Sequence, residues 1–370
     1  MSKKIKLLVI TLSLEGGGAE KIIASLLRNL KSGMEICLVT FYAGGRFLNE
    51  DGFLRGMKYH TLRAERGNTV NFAWRLRKIL RKEKPDKIIS FLYYPNIITY
   101  LAVAGLNIPI ILSERSNHRL YLTSSFKHRV WRFLLRLAYR RAEKVITVSD
   151  ASAEFIMNDF GITAEKIRTI YNGISFKHLD ELKNEPVTEI DFPSGSRYIL
   201  TAGSLSRSKN HSLLIDAFGL VKSRHENICL VILGKGEMEE VLKKKIGEAG
   251  LSGSVFMPGY ALNPYKFMTG ALCFVLSSKW EGFPNVLLEA MYVNGHVVST
   301  DCPTGPSEII THGVDGILCE PDNAEDLAAG IEKMCFDEEF REKVYMNSRK
   351  KIINFGENRM VEEYRELLTN

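Results

Sequence analysis

Short apolar runs rich in β-branched residues recur along this chain, and they restrict its possible folds more than any other feature. KLLVITLSL, EICLVTFY, KIISFLYY, PIILS and KVITVS occupy the first half; YILTAGS, ICLVILG, VFMPG, ALCFVLSS and HVVSTD follow in the second. Between them lie segments with helical spacing, such as AEKIIASLLRNL and NFAWRLRKILRK. Strand-length runs alternating with amphipathic helices specify βα units and parallel sheets covered on both faces. Each half holds about five such units, enough for one doubly wound domain apiece. The expected fold class is therefore α/β, with a first domain over 1–185, a second over 196–352, and a polar, proline-bearing linker at 184–196. The last helix, over 353–370, fits either domain and can cross back to the first.

At 370 residues the chain suits two domains of ordinary size. The six cysteines are scattered without a CxxC pair or a histidine at ligand spacing. That pattern argues against a zinc site or a disulfide framework and for a reducing compartment. MSKKIKLLVITLSL has the lysines and apolar run of a leader, but a glycine cluster follows directly and no small-residue cleavage site does, so a buried first strand is expected. No apolar stretch reaches the roughly 18–20 residues of a membrane span. These readings place the chain in the cytoplasm.

The net charge of +7 is unevenly divided. Residues 1–185 carry 31 Lys or Arg against 17 Asp or Glu, and residues 186–370 carry 19 against 26. The basic half suits an anionic surface or substrate.

Three stretches carry candidate chemistry. In LEGGGAEKII, Gly16, Gly17 and Gly18 follow a strand and open a helix, which offers bare backbone N–H groups and a helix dipole to a phosphate. The same turn also fits a chain reversal that binds nothing. In AGSLSRSKNH, Arg207 and Lys209 lie in the loop after a strand ending at Gly203, where two cations can hold a diphosphate or simply be solvated. In WEGFPNVLLEA, Pro284 suits a first helical turn. Glu281 then lies before the helix and Glu289 inside it, two acceptors for sugar hydroxyls with helix-start N–H groups between them. A capped helix with two surface glutamates is the plainer reading.

Together, EGFPNVLLE, LSRSKNH and the GGG turn resemble the retaining nucleotide-sugar glycosyltransferases built of two facing Rossmann-like domains, the large fourth family. The resemblance spans nearly the whole chain. More narrowly, SLEGGGAEKI, LSERSNH and ALNPYKFM are similar to bacterial enzymes that extend lipid-linked oligosaccharides with N-acetylhexosamine. It implies an interdomain cleft, a UDP-sugar donor and a polyprenyl-diphosphate-linked saccharide acceptor. No metal or other cofactor is implied.

By resemblance, Glu281 holds donor-sugar hydroxyls, with Gly282, Phe283, Pro284 and Asn285 lining the sugar and diphosphate. Glu289 binds the ribose and Lys209 grips the diphosphate. Gly16 to Gly18 face donor phosphate and acceptor, and Gly234 to Glu237 with Tyr260 wall the base. The family's arginine after the glycine at 203 is Ser204 here, with Arg207 as substitute. Its Glu-His pair reads Glu114-Arg115, which leaves Arg115 and His118 as candidates on the acceptor side. His296 stands where the family has proline.

Paired carboxylates also admit a glycosidase, but a lysine-bearing diphosphate loop has no use there. A UDP-sugar 2-epimerase of similar architecture and a non-catalytic nucleotide-sugar-binding protein stay open. From Arg115 to Ala142 there are eight Lys or Arg and no Asp or Glu. Arg129, Arg132, Arg136 and Arg140 form one helical stripe. Such a helix suits an anionic membrane surface, or an acceptor's diphosphate, as well as it suits a core helix with a solvated edge. That implies peripheral association with the inner face of the cell membrane. No nucleic-acid motif accompanies the charge.

Overall fold

Runs of apolar residues covered on both faces form two all-parallel sheets in the computed structural model, which describes residues 4–62, 69–115 and 126–369. The first sheet contains β1 (Lys6–Thr11), β2 (Glu35–Thr40), β3 (Lys58–Thr61), β4 (Lys87–Phe91), β5 (Ile110–Ser113), β6 (Lys144–Thr147) and β7 (Ile167–Thr169), in the order β3-β2-β1-β4-β5-β6-β7. The second contains β8 (Arg197–Ala202), β9 (Ile228–Leu233), β10 (Val255–Gly259), β11 (Phe274–Leu276), β12 (Val297–Thr300) and β13 (Ile317–Cys319), in the order β10-β9-β8-β11-β12-β13. Both are doubly wound, as the alternating runs require.

Strand alternation divides the first core in two. Leu8, Ile10, Ile88 and Leu112 face α2 (Thr69–Glu83), α3 (Tyr93–Ala102) and α4 (Phe126–Arg141), which contribute Leu76, Ile98 and Leu135. Leu7, Val9, Ile89 and Ile111 face the other way, onto Ile23 and Leu27 of α1 (Gly18–Leu30). Met360, Val361, Tyr364 and Leu368 of α14 (Glu357–Thr369) complete that layer. Each fully buried side chain of this kind contributes about 1.5–3 kcal/mol. In the second core, Ile199, Leu230, Ile232 and Val298 meet α7 (His211–Lys222) and α12 (Ala324–Phe336).

The two compact units are Met1–Gly173 with Glu357–Asn370, and Ile174–Gly356. The chain therefore enters the second unit before the polar stretch at 184–196. The reason is α6 (Phe176–Leu182), which is already docked there: Phe176 stacks on Tyr292 at 4.6 Å, and Asp180 accepts a 2.8 Å hydrogen bond from the Tyr292 hydroxyl. Ile174 N–H donates to the Phe355 carbonyl at 2.9 Å, so the segments by which the chain enters and leaves this unit lie side by side. The chain's last helix is built into the first unit.

Candidate functional site

In the second sheet the winding reverses between the neighbours β8 and β11, the place at the carboxyl edge of an open parallel sheet where ligands commonly bind. Lys209 and Glu281 come from those two loops. Lys209 Nζ lies 2.5 Å from Glu281 Oε1, with side chains one-fifth and one-tenth exposed. Ser278 Oγ donates to the same carboxylate oxygen at 2.6 Å. Hydrogen bonds stitch the loops together: Lys279 N–H donates to the Ser208 carbonyl at 2.8 Å, and the Ser277 hydroxyl to the Lys209 carbonyl at 2.9 Å. The Lys209 stem passes over Gly203, with its Cε 3.5 Å from where a Cβ would stand there. Gly234 has a φ of +147° and lies so close to Gly203 that a Cβ would fall 1.8 Å from its carbonyl oxygen. Only glycine fits there.

Pro284 caps α10 (Asn285–Val293), placing Asn285 in its first turn and Glu289 in its second. Phe283 and Glu289 are buried, and the Tyr265 hydroxyl donates to Glu289 Oε1 at 3.2 Å. Arg207 is exposed, as are Ser204, Glu237 and Tyr260. His211, at the start of α7, is buried, and this burial with the nearby Lys209 charge lowers its pKa to about 4. It is therefore neutral at pH 7, and the loop's positive charge resides on Arg207 and Lys209.

Thr304 lies in the Pro- and Gly-rich loop 301–308 after β12, a loop the sequence marks by its place beyond a strand without singling out this residue. It is buried, holds the rare φ of 149°, and its hydroxyl donates to the Glu281 carbonyl. A Cβ on the following Gly305 would stand 2.6 Å from Pro284 Cδ. This segment braces the Glu281–Pro284 turn from behind, and its strained threonine carried no motif by which to find it.

In the first unit, Gly16, Gly17 and Gly18 do open α1, but Glu20 has taken the turn's donors. Its Oε2 accepts from Gly16 N–H at 2.7 Å and from Gly17 N–H at 2.9 Å, and Ser13 Oγ donates to its Oε1. Arg115 is buried and donates to Asn172 Oδ1 at 2.8 Å and to the Tyr364 hydroxyl at 3.1 Å, so it ties α14 to the sheet. Burial lowers its pKa. Glu114 accepts from the Tyr139 hydroxyl at 2.8 Å. His118 lies outside the described residues. Arg129, Arg132, Arg136 and Arg140 are all exposed along α4, and Phe133 joins them at the surface.

Cys37, His60 and Glu83, distant in sequence, bring ligand-type atoms within 4.8 Å of one another. Glu83 is already paired with His60 at 3.0 Å and Lys58 at 3.2 Å. Burial, with Glu83 nearby, pushes the Cys37 thiol up to about 12. Internal ion pairing accounts for the cluster. Among the described residues, no helix is long and apolar enough to cross a membrane.

Two family models divide the chain between them. Glycosyltransferase Family 4 matches residues 16–178, and Glycosyl transferases group 1 matches residues 184–351. The chain is similar to two Campylobacter jejuni proteins. One is an N-acetylgalactosamine-N,N'-diacetylbacillosaminyl-diphospho-undecaprenol 4-alpha-N-acetylgalactosaminyltransferase, 29% identical across 93% of this chain and 94% of its own. The other is an alpha-1,4-N-acetyl-D-galactosaminyltransferase acting on GalNAc-alpha-(1->4)-GalNAc-alpha-(1->3)-diNAcBac-PP-undecaprenol, 28% identical across 98% of both chains. Among solved structures, Anabaena HepE in complex with UDP and glucose superposes with a TM-score of 0.82 at 20% identity, over 99% of each chain. Sucrose-phosphate synthase from Thermosynechococcus elongatus gives 0.81 at 17%, over 99% of this chain and 100% of its own.

Proposed function

Because the chain belongs to the group 1 glycosyl transferases of family 4 type, we propose that it moves a hexose or N-acetylhexosamine from a UDP-sugar to a polyprenyl-diphosphate-linked saccharide. The observation that carries this reading is the Lys209–Glu281 pair, set at the winding reversal of the second sheet beside the start of α10. An ammonium and a carboxylate so held are a diphosphate grip and a hydroxyl acceptor in one place. The full-length similarity to two transferases whose acceptors are undecaprenol-linked supports the acceptor class. A UDP-sugar 2-epimerase is not favoured, since both matching family models are transferase models.

In the proposed reaction the acceptor hydroxyl oxygen bonds to the anomeric carbon as the bond from that carbon to the UDP oxygen breaks. The leaving diphosphate keeps the electron pair, and one of its oxygens takes the hydroxyl proton. Attack comes from the face the diphosphate leaves, which retains the anomeric configuration. Lys209, Arg207 and the backbone N–H groups at the start of α10 meet the charge that grows on the diphosphate, with no metal needed. Incoming phosphate oxygens compete with Glu281 for the Lys209 ammonium, which frees the carboxylate for donor-sugar hydroxyls. Glu289, held by Tyr265, is assigned to the ribose.

The first unit takes the acceptor, and the exposed arginines and Phe133 of α4 rest on an anionic membrane surface. The test is transfer from a panel of UDP-, GDP- and ADP-sugars to a polyprenyl-diphosphate saccharide, with and without a chelator. Transfer from a UDP-sugar that survives chelation, with an α-linked product from an α-linked donor, is expected. Abolition by chelator and rescue by Mg²⁺ would remove metal independence, and isomerised UDP-sugar without acceptor would replace the transferase by the epimerase.

A further inference from the structure

The glycine turn of the first unit was expected to take phosphate on its backbone donors, yet Glu20 fills the Gly16 and Gly17 N–H groups in the manner of a bound anion. A phosphate approaching this turn meets a carboxylate, so an anion can settle here only against a nearby cation. Arg46 is that cation. The loop after β2 is sewn to the loop after β1 by three backbone bonds: Phe41 N–H and Tyr42 N–H to the Leu12 carbonyl at 3.0 and 3.1 Å, and Phe47 N–H to the Leu14 carbonyl at 3.1 Å. Gly45 makes the close approach possible. It has a φ of +124°, and a Cβ there would fall 2.7 Å from Leu14 backbone atoms.

Pinned in this way, the loop carries Arg46 against the turn, with its Cδ 3.8 Å from where a Gly16 Cβ would stand. The Arg46 side chain is exposed and makes no ion pair or hydrogen bond with any described residue. The contrast with its neighbours is informative: Arg28 pairs with Glu50, and Glu20 is spent on the turn. An exposed guanidinium without a carboxylate, beside glycines whose missing side chains leave room, presents a forked donor to a doubly charged oxyanion.

We infer that Arg46 binds a diphosphate ester of the reaction at the Gly16–Gly18 turn, and that Glu20 there shapes the turn and does not yield its N–H groups. This inference rests on the proposed transferase reading. A diphosphate is common to the nucleotide-sugar donor and to the lipid-linked acceptor, and the measurement separates the two.

Michaelis constants for both substrates are compared among the wild type, Arg46→Ala and Arg46→Lys, together with calorimetric titration of inorganic pyrophosphate. Arg46→Ala should raise the KM of one substrate by about tenfold or more with little change in kcat, as expected for loss of a charge-assisted hydrogen bond. Arg46→Lys, a point charge without the fork, should fall between. The substrate whose KM rises identifies the source of the diphosphate. Because Arg46 is an exposed residue, melting curves should coincide, which excludes a folding defect. If the wild type transfers no sugar but Arg46→Ala weakens pyrophosphate binding, the transferase reading fails while the site stands. If transfer proceeds and neither KM nor pyrophosphate affinity changes in Arg46→Ala, the inference is wrong and the transferase reading is untouched.

Discussion

Lys209→Met separates the chemical duty of the second unit's ion pair from its structural one. Methionine keeps an unbranched stem over Gly203, so the shape of the side chain is largely kept and the charge is removed. Glu281 then loses its ammonium partner but keeps the Ser278 hydroxyl. A charge-assisted hydrogen bond at a mostly covered carboxylate is worth about 1.5–3 kcal/mol, which at roughly 2–4 °C per kcal/mol for a unit of this size lowers Tm by about 3–12 °C. The transition state loses more. Removing a fixed positive group from a departing oxyanion costs about a hundred- to a thousandfold in rate. The expected signature is a folded, slightly less stable protein whose kcat collapses and whose donor KM rises as well, because the ammonium meets the diphosphate on binding and more strongly as the bond breaks. Initial rates with labelled UDP-N-acetylhexosamine, read beside a thermal melt, measure both terms. A variant that kept more than a tenth of wild-type kcat would refute the assignment of Lys209 to the leaving diphosphate.

Acid should weaken the second unit through His211. Its folded pKa of about 4 lies below the ordinary 6.5, so between these values the unfolded chain holds a proton that the folded one refuses. Stability is therefore full above pH 6.5 and falls as pH drops towards 4, by up to roughly 3 kcal/mol. His211→Leu should flatten the fall in Tm between pH 7 and 5, leaving a residue of slope from His296, which burial also lowers to about 4. Gly234→Ala should fail to yield soluble protein, whereas Gly247→Ala, with open space at its Cβ in α8 (Glu239–Glu248), should raise stability by about 0.5–1 kcal/mol in a denaturant melt. Arg132→Ala with Arg136→Ala should reduce co-sedimentation with anionic vesicles at low salt and not with neutral ones, and unchanged sedimentation would remove the membrane surface.

Much of this architecture is written in the apolar runs because a strand covered on both faces must be apolar at every position. The three strands the sequence reading lacked follow the same logic in reverse. KYHT of β3, IRT of β7 and the short ILC of β13 all lie at sheet edges, where partial cover relaxes that demand. At the site, EGFPNVLLE located its own helix start because proline and glycine constrain the backbone locally. Glu20 in the glycine turn was legible too, as an acid three places after a helix cap, but the motif's association with phosphate hid it. Thr304 and Arg46 were not legible, since each acts across a gap that only the folded loops close. Arg115 shows the converse: legible in sequence only as a charged residue beside a motif, it is held on Tyr364 nearly 250 positions away.

The side-by-side pairing of Ile174 with Phe355 makes the second unit an uninterrupted insertion whose two ends leave together. Residues 174–356 are therefore expected to fold when expressed alone, whereas stopping a clone at 173 leaves the first unit without Met360, Val361, Tyr364 and Leu368. On the ribosome the later-made unit has all its residues first. The opening strands must wait, one helical layer short, until α14 has been made, and a stop codon placed ahead of α14 damages the part of the protein that was synthesised earlier.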